Sequence, residues 1–404
     1  MQNTKIQDPI NLKGPIHGVR GHIPALDGLR GVAILMVLML HFYNEAIINN
    51  GYPIIGPIIT KVALSGLYGV ELFFVISGFL ITQILLDSKT EPHYFRNFYV
   101  RRFLRIFPLY YGVLCLIFFV LPHMVTFDAA AKDIASRQVW LWTYLSNAPW
   151  SGYGWDSSGL FRLGHLWFVC VVVHYYIIWP LVVYKCELRT LIRICLTGMV
   201  VCLLIRTLYT VAGGPELFAW SSIRKLDGLL LGSFLAAGLR LESVSCLINK
   251  YAPKAAWVAG LFFLMLIFVP RRYIQDPTGG QVGYYYTVIE TISVIFFGGL
   301  FMLLLRQAAL QTLMQNRVLI AFGKYSFGIF VIHNICLPLF QWLFNPVALS
   351  RTLVSPLLAQ AMFYVLAISA SFLLAFASWH LYEKHFIKLK IFFEYDSKHE
   401  LEKA

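Results

Sequence analysis

Two ionisable residues within the first apolar segment of the chain are spaced so that they could act together. Arg30 and His41 are 11 positions apart, which is about three turns of an α-helix, so both would project from one face roughly 16 Å apart. Ionisable side chains inside a membrane span cost several kcal/mol and usually face an internal cavity with a function. Because histidine accepts a proton readily near neutral pH, His41 is a candidate general base, although a lone histidine is more often structural.

Three further charged residues could serve the same chemistry. Glu71 lies in a second apolar run, Gly69–Leu80, where a carboxylate could orient an imidazole or could simply pair with an arginine inside the membrane. Arg102 and Arg105 are three positions apart and are therefore neighbours on one helical face. Paired guanidinium groups at a membrane surface bind phosphates through bidentate hydrogen bonds, but they also bind lipid head groups. The residues alone favour neither ligand.

The other polar residues of the apolar runs do not form a recognisable metal or hydrolase site. His165 and His174 are nine positions apart, about two and a half helical turns, so they would point to opposite faces. Arg224 and Asp227 are three positions apart and predict a structural ion pair. The seven cysteines include no CxxC pair, and no HExxH, GxSxG or Gly-rich phosphate loop occurs. We therefore predict no metal and exclude metalloproteases and serine hydrolases.

The elements that carry these residues are predicted to be membrane helices. The chain has 58% hydrophobic and 13% charged residues, whereas soluble domains average about 25% charged residues. Apolar runs of about 20 residues, the length at which a helix spans a bilayer, recur along the whole chain. The pattern predicts an all-α integral membrane protein with about ten transmembrane helices. We place them at residues 24–44, 63–86, 103–122, 164–184, 190–212, 221–239, 253–270, 283–305, 319–343 and 353–382.

We interpret the positive charge as a signal for orientation rather than for nucleic-acid binding. The formal net charge is +13, and basic residues concentrate in the cytoplasmic loops of membrane proteins. If the N-terminus is cytoplasmic, the inner segments hold 23 of the 33 Lys and Arg residues. We therefore predict that both termini are cytoplasmic. This orientation puts Arg30 near the inner face and His41 deeper, toward the outer half of the membrane.

The longest outer connection, residues 128–164, is rich in aromatic residues and glycine. Such a composition is typical of the interfacial belt in which Trp and Tyr accumulate. The segment could instead form a platform for an acceptor molecule, since the faces of aromatic rings suit sugar rings.

A series of short motifs resembles the acyltransferase 3 family of membrane-bound acyltransferases. The resemblance runs from residue 23 to about residue 390. It departs from the family at Val171–His174, where many members carry acidic residues and this chain has none. The segments that carry the resemblance are Ile23–Gly31 with His41, Gly69–Leu80, Arg101–Pro108, His165–Trp167, Tyr176–Pro180, Arg224–Gly232, Gly323–Phe327 and Tyr382–Phe386.

The resemblance implies a membrane O-acyltransferase of the bacterial inner membrane. It would move an acyl group, usually acetyl, from cytoplasmic acetyl-CoA or another acyl-CoA to a hydroxyl of an extracytoplasmic polysaccharide or lipid-linked sugar. Residues 1–22 would be a cytoplasmic N-terminal segment, 23–390 the acyltransferase domain and 391–404 a cytoplasmic tail. The expected partners are the lipid bilayer, the acyl-CoA and the glycan, with no nucleic acid.

The resemblance also implies roles for individual residues. His41 would act as the general base or would carry the acyl group transiently. Glu71 would orient the imidazole or stabilise its charge, and Arg30 would assist at the inner end of the first helix. His174 could take over a role of the missing carboxylate. The other predicted site residues are Arg102 and Arg105 for coenzyme A, and His165, Trp167 and His174 for the acceptor.

Other functions are compatible with the same buried charges. A secondary transporter or flippase would use them for the passage of a substrate or of protons, although no internal repeat of the kind common in transporters is visible. A non-enzymatic membrane sensor is a third interpretation. For an acyltransferase, the acceptor could also be a small-molecule metabolite such as a macrolide.

Overall fold

The computed structural model describes residues 23–151, 154–211, 221–269 and 283–393, and within these ranges the chain is helical and contains no β-strand. The predicted all-α membrane architecture is confirmed. The predicted segment 1–22 and most of the predicted tail lie outside the described residues. The α-helices are α1 (Pro24–His41), α2 (Glu45–Gly51), α3 (Gly56–Leu64), α4 (Gly69–Asp87), α5 (Tyr94–Cys115), α6 (Ala129–Ser136), α7 (Val139–Trp142), α8 (Trp167–Lys185), α9 (Leu188–Val211), α10 (Ser222–Lys225), α11 (Asp227–Gly238), α12 (Glu242–Ile267), α13 (Gly283–Arg306), α14 (Ala308–Met314), α15 (Arg317–Lys324), α16 (Ser326–Ile335), α17 (Leu337–Phe344), α18 (Pro346–Leu353), α19 (Pro356–Ser378) and α20 (Lys384–Lys388).

Eight of the ten predicted spans coincide with helical segments that are long and apolar enough to cross a membrane. The prediction for 221–239 is wrong in detail, because the apolar helix there, α11, has only 12 residues. That length corresponds to about 18 Å, well short of the roughly 30 Å hydrocarbon core of a bilayer. The span predicted at 319–343 is broken, since α15 and α16 meet at an angle of 69°.

Glycine residues allow α15 to lie directly against α1. A side chain at Gly323 would collide with the backbone of Asp27, and one at Gly31 would collide with the backbone of Leu319. Small residues at helix interfaces permit this close approach between membrane helices. The chain therefore uses α15 to cover α1, and the bend that follows sends α16 in another direction, against α19.

The four helices that position the site are α1, α4, α8 and α16. Helix α4 is packed against α1, α8 and α11 and is buried over most of its length. Gly78 of α4 and Gly232 of α11 each lie against the backbone of the other helix. The ring of Phe74 on α4 stacks on Phe168 of α8 with ring centroids 4.8 Å apart. This aromatic core holds the polar residues of the four helices in fixed positions.

Candidate active site

A cavity of about 450 Å³, which we call the histidine cavity, opens at the C-terminal end of α1. His41, the last residue of α1, lines it together with His165, which lies in the 3₁₀ turn before α8. Much of the remaining wall comes from the aromatic and glycine-rich connection between α7 and α8. The residues of that connection with polar or aromatic side chains in the wall are Ser146, Asn147, Ser151, Trp155, Asp156 and Ser157.

Three imidazole rings meet beside this cavity. The ring centroid of His333, on α16, lies 4.9 Å from that of His41 and 5.1 Å from that of His165. His333 is fully buried, and its Nε2 atom has no hydrogen-bond partner among the described residues. In the described part of the chain, no three His, Cys, Asp or Glu side chains are arranged to hold a metal ion. Imidazole groups exchange protons near neutral pH, so a cluster of three rings is suited to proton transfer.

Backbone carbonyl groups fix the tautomers of all three rings, since His333 Nδ1 also lies 2.7 Å from the carbonyl oxygen of Phe330. His41 Nδ1 lies 2.9 Å from the carbonyl oxygen of Val37, and His165 Nε2 lies 3.1 Å from that of Val331. Because a carbonyl oxygen only accepts hydrogen bonds, each of these nitrogens must donate, and the other nitrogen of a neutral ring keeps its lone pair. His41 Nε2 is therefore the atom that could accept a proton.

Asp156 is the one carboxylate among the described residues that line the histidine cavity. Its Oδ1 atom accepts hydrogen bonds from the backbone N–H of Gly164 at 2.7 Å and from the side-chain amide of Asn334 at 3.4 Å. The same amide nitrogen lies 3.3 Å from His165 Nδ1, the nitrogen with the lone pair. Asn334 thus connects Asp156 to the histidine cluster, a link that was not predicted from the sequence.

A second cavity, of about 300 Å³, lies toward the N-terminal end of α1, and we call it the arginine cavity. Arg30 lines it together with Arg102 and Arg105 of α5, so the structure brings together the three cations that were predicted to act jointly. Arg101 and Lys390 also line it, and none of its described lining residues is a carboxylate. Asp27 lies 3.3 Å from Arg30 but outside the lining, and an anion bound in the cavity would be attracted by all five cations. This makes the cavity a candidate site for a polyanion.

Lys390 reaches the arginine cavity because the C-terminal 3₁₀ turn, Leu389–Phe393, folds back onto α5. Arg101 donates a hydrogen bond of 3.2 Å to the carbonyl oxygen of Phe393, and the guanidinium of Arg96 lies 5.7 Å from the centroid of the Phe393 ring. The turn therefore forms part of the cavity wall. Lys390 was not predicted, because basic residues after a last span are already explained by the positive-inside rule.

Glu71 lies in a buried ion cluster and lines neither cavity. Its Oε1 atom is 3.4 Å from Lys225 Nζ, which is also 2.7 Å from Glu290 Oε1. Among the described residues Glu71 forms no hydrogen bond with His41, so the predicted orienting role has no direct contact to support it. The structure instead resembles the alternative given above, in which this carboxylate pairs with a buried cation, here a lysine.

Arg206 of α9 completes the ion cluster. Its Nη1 atom lies 2.7 Å from Asp227 Oδ2 and 3.5 Å from Glu290 Oε2. The ion pair predicted between Arg224 and Asp227 is therefore replaced by one between Arg206 and Asp227. The reason is a break in the helix, since α10 ends at Lys225 and α11 begins at Asp227. The spacing rule for one continuous helix does not apply across that break.

Trp167 and His174 lie at different places along α8. Trp167 lines the histidine cavity, and Lys225 Nζ lies 5.8 Å from the centroid of its ring. His174 does not line the cavity, but its Nδ1 and the hydroxyl oxygen of Ser222 are hydrogen-bonded at 2.7 Å. That hydroxyl oxygen also accepts a hydrogen bond of 2.9 Å from Asn147, which is in the cavity wall. The predicted roles of Trp167 and His174 in acceptor binding remain predictions.

Sequence comparisons relate the chain to known acyltransferases. A family model described as an acyltransferase domain matches residues 23–379. A peptidoglycan O-acetyltransferase of Listeria monocytogenes is 24% identical over 272 residues, which cover 64% of this chain and 40% of that protein. A Bacillus subtilis protein provisionally named as a peptidoglycan O-acetyltransferase is 27% identical over 338 residues, 77% of this chain and 48% of that protein. The chain thus spans about half the length, or less, of these relatives. No solved structure matches it significantly.

Proposed function

The chain belongs to the acyltransferase domain family, and from that premise we propose that it is a membrane O-acetyltransferase. In this proposal acetyl-CoA is the donor on the cytoplasmic side, and the acceptor is a hydroxyl of an extracytoplasmic glycan. Peptidoglycan is a suitable acceptor because it appears in the names of two relatives. The observation that carries the proposal is the presence of a five-cation cavity and a histidine cavity toward opposite ends of the same helix, α1.

Coenzyme A would place its phosphate groups in the arginine cavity. Guanidinium groups bind phosphates through paired, charge-assisted hydrogen bonds, and the cavity has cations from α1, α5 and the C-terminal turn but no described carboxylate in its lining. The thioester would then extend along α1. Arg30 and His41 are about 16 Å apart along the helix axis, a length that the extended pantetheine arm of coenzyme A can bridge.

The acceptor would bind in the histidine cavity. Its wall offers Trp155, which can cover an apolar ring face, and polar side chains that can bind hydroxyl groups. The Nε1 atom of Trp155 is buried and has no hydrogen-bond partner among the described residues. The carboxylate of Asp156 would accept hydrogen bonds from sugar hydroxyls. A sugar ring can pack its apolar face on an aromatic side chain and bind polar side chains through its hydroxyl groups.

His41 would act as the general base. Its Nε2 atom would take the proton of the acceptor hydroxyl, and the acceptor oxygen would attack the thioester carbonyl carbon. The carbon–sulfur bond then breaks, and the proton returns to the coenzyme A sulfur. The hydrogen bond from Nδ1 to Val37 fixes the ring and would stabilise its protonated form. In the alternative route, His41 Nε2 attacks the thioester carbonyl carbon, and the carbon–sulfur bond breaks to release the coenzyme A thiolate. The acceptor oxygen then takes the acetyl group as the carbon–nitrogen bond breaks, and the hydroxyl proton ends on the coenzyme A sulfur.

The arrangement of the buried ion cluster favours an enzyme over a transporter. Its carboxylates, Glu71, Asp227 and Glu290, each contact Arg206 or Lys225. None of these five residues lines the two cavities. Charges that are paired with each other and kept away from the cavities suit the stabilisation of a helix bundle better than the passage of a substrate.

The function and the proposed orientation can be tested together in sealed membrane vesicles. Inverted vesicles from bacterial cells that express the protein are expected to incorporate label from acetyl-CoA into glycan as base-labile ester. Right-side-out vesicles should not, because acetyl-CoA does not cross a bilayer. Vesicles without the protein give the background. Equal labelling in both orientations would overturn the proposed direction, and absence of labelling in every preparation would overturn the function.

Lys390→Ala is expected to weaken the binding of coenzyme A by about ten- to a hundredfold, because hydrogen bonds to charged groups contribute about 1.5–3 kcal/mol. Equilibrium binding of labelled coenzyme A to the purified protein measures this loss. Lys388→Ala is the matched control, since Lys388 belongs to the same C-terminal segment, is exposed and does not line the arginine cavity. Equal affinities for the two variants would contradict a role of Lys390 in phosphate binding.

A further inference from the structure

One aromatic side chain, Phe330 of α16, lines both the histidine cavity and the arginine cavity. No other described residue belongs to both linings. Helices α1, α4, α8 and α16 each contribute residues to the two walls, such as Val70 and Phe73 on successive turns of α4. The cavities therefore follow one another along the same helices, and Phe330 lies between them.

The ring of Phe330 is held from both sides. Its centroid lies 4.8 Å from that of Phe168, which lines the arginine cavity, and 5.4 Å from that of His165 in the histidine cavity. Only 3% of the residue is exposed. Its carbonyl oxygen accepts a hydrogen bond of 2.7 Å from His333 Nδ1, so the backbone of Phe330 is attached to the histidine cluster.

Resting on the proposed function, we propose that Phe330 is the barrier between donor and acceptor cavities, which the acyl group passes only when the ring turns aside. During transfer the thioester C–S bond breaks, the ester C–O bond forms, and the hydroxyl proton ends on the coenzyme A sulfur. If water entered from the acceptor side, it would attack the thioester in place of the acceptor hydroxyl. The product would then be acetate, and the proton on the coenzyme A sulfur would come from water. Closed active sites prevent such hydrolysis, and side chains or loops that gate access commonly do so.

The barrier can be tested without any acetyl transfer. Ser77 of α4 lines the arginine cavity only, so the thiol introduced by Ser77→Cys reports access to that cavity. A charged, membrane-impermeant methanethiosulfonate reagent is applied to either side of sealed vesicles, with the protein lacking Ser77→Cys as background for its native cysteines. With Phe330 intact, we expect labelling from the arginine-cavity side alone. Adding Phe330→Ala should raise labelling from the histidine-cavity side about tenfold or more, because the substitution leaves a void.

Variants at two positions of α16 test the catalytic consequence. Phe330→Ala is expected to hydrolyse acetyl-CoA without an acceptor about tenfold faster than the wild type, as expected when water reaches the thioester. Ile332→Ala is the control, since Ile332 lies on the same helix and lines neither cavity. Phe330→Trp should slow acetyl transfer about tenfold through overpacking while coenzyme A affinity stays unchanged. Phe330→Leu replaces the Ala variant if the latter does not fold.

The results separate this proposal from the proposed function. One-sided labelling that becomes two-sided in Phe330→Ala supports the barrier even if the wild type transfers no acetyl group, in which case only the function fails. Two-sided labelling with Phe330 intact would overturn the barrier, and so would one-sided labelling that persists in both smaller variants. Wild-type transfer rates in Phe330→Trp would overturn its role in the passage of the acyl group.

Discussion

Replacing His41 with alanine is expected to lower acetyl transfer from labelled acetyl-CoA by about a hundred- to ten-thousand-fold, the usual contribution of general acid–base catalysis. The substitution removes His41 Nε2, the ring nitrogen that keeps its lone pair because Nδ1 donates to the carbonyl oxygen of Val37. Coenzyme A affinity should stay unchanged, because the arginine cavity is lined by other residues. The measurement is incorporation of label into glycan by membranes that contain equal amounts of protein.

Two controls make the His41 result interpretable. His123→Ala changes an exposed histidine in the 3₁₀ turn that ends at residue 123 and should leave the rate unchanged, because His123 lines neither cavity. Acid quenching during turnover tests the covalent route, since an acetyl group attached to His41 would appear by mass spectrometry in the wild type only. Full acetyl incorporation by His41→Ala would refute both the base and the covalent role.

His41 could be predicted from the sequence because its signal lies within one helix. An ionisable residue in an apolar run is costly, and its helical register with Arg30 needs no tertiary information. His333 is also an ionisable residue in an apolar run, but the sequence does not show which residues surround it. The packing of α16 beside α1 and α8 brings its ring about 5 Å from two other imidazoles. Asp156 and Asn334 could not be predicted either, because they are distant in sequence and only the folded chain brings them together at the candidate site.

The helix boundaries show a different limit of sequence patterns. Apolar length predicted a continuous span at 319–343, but close packing of Gly323 against α1 accompanies a sharp bend. Apolar length also predicted a span at 221–239, where the chain instead forms the short, buried α11. Neighbouring helices, rather than lipid, surround most of α11 and of α16. Hydropathy cannot distinguish these two apolar environments.

Replacing Arg206 with methionine is expected to lower the free energy of unfolding by about 3–5 kcal/mol, because it leaves buried carboxylates without their counter-charge. Arg206 is 1% exposed and contacts Asp227, Glu290 and the hydroxyl of Thr291, which accepts a hydrogen bond of 2.8 Å. Thermal unfolding of the purified protein in detergent measures the loss. Arg193→Met is the matched control, since Arg193 lies on the same helix and is exposed.

A double variant shows whether the loss comes from the unpaired charge. Arg206→Met combined with Asp227→Asn should be more stable than Arg206→Met alone, because the second change removes the carboxylate that contacts Arg206 at 2.7 Å. The same variants bear on the transporter alternative. If the cluster ties α4, α9, α11 and α13 together, stability falls and the folded fraction keeps its acetyl-transfer rate. If Arg206→Met instead left stability unchanged and abolished the movement of a substrate across the membrane, the cluster would belong to a transport path, since only a charge with a functional role would then justify its burial.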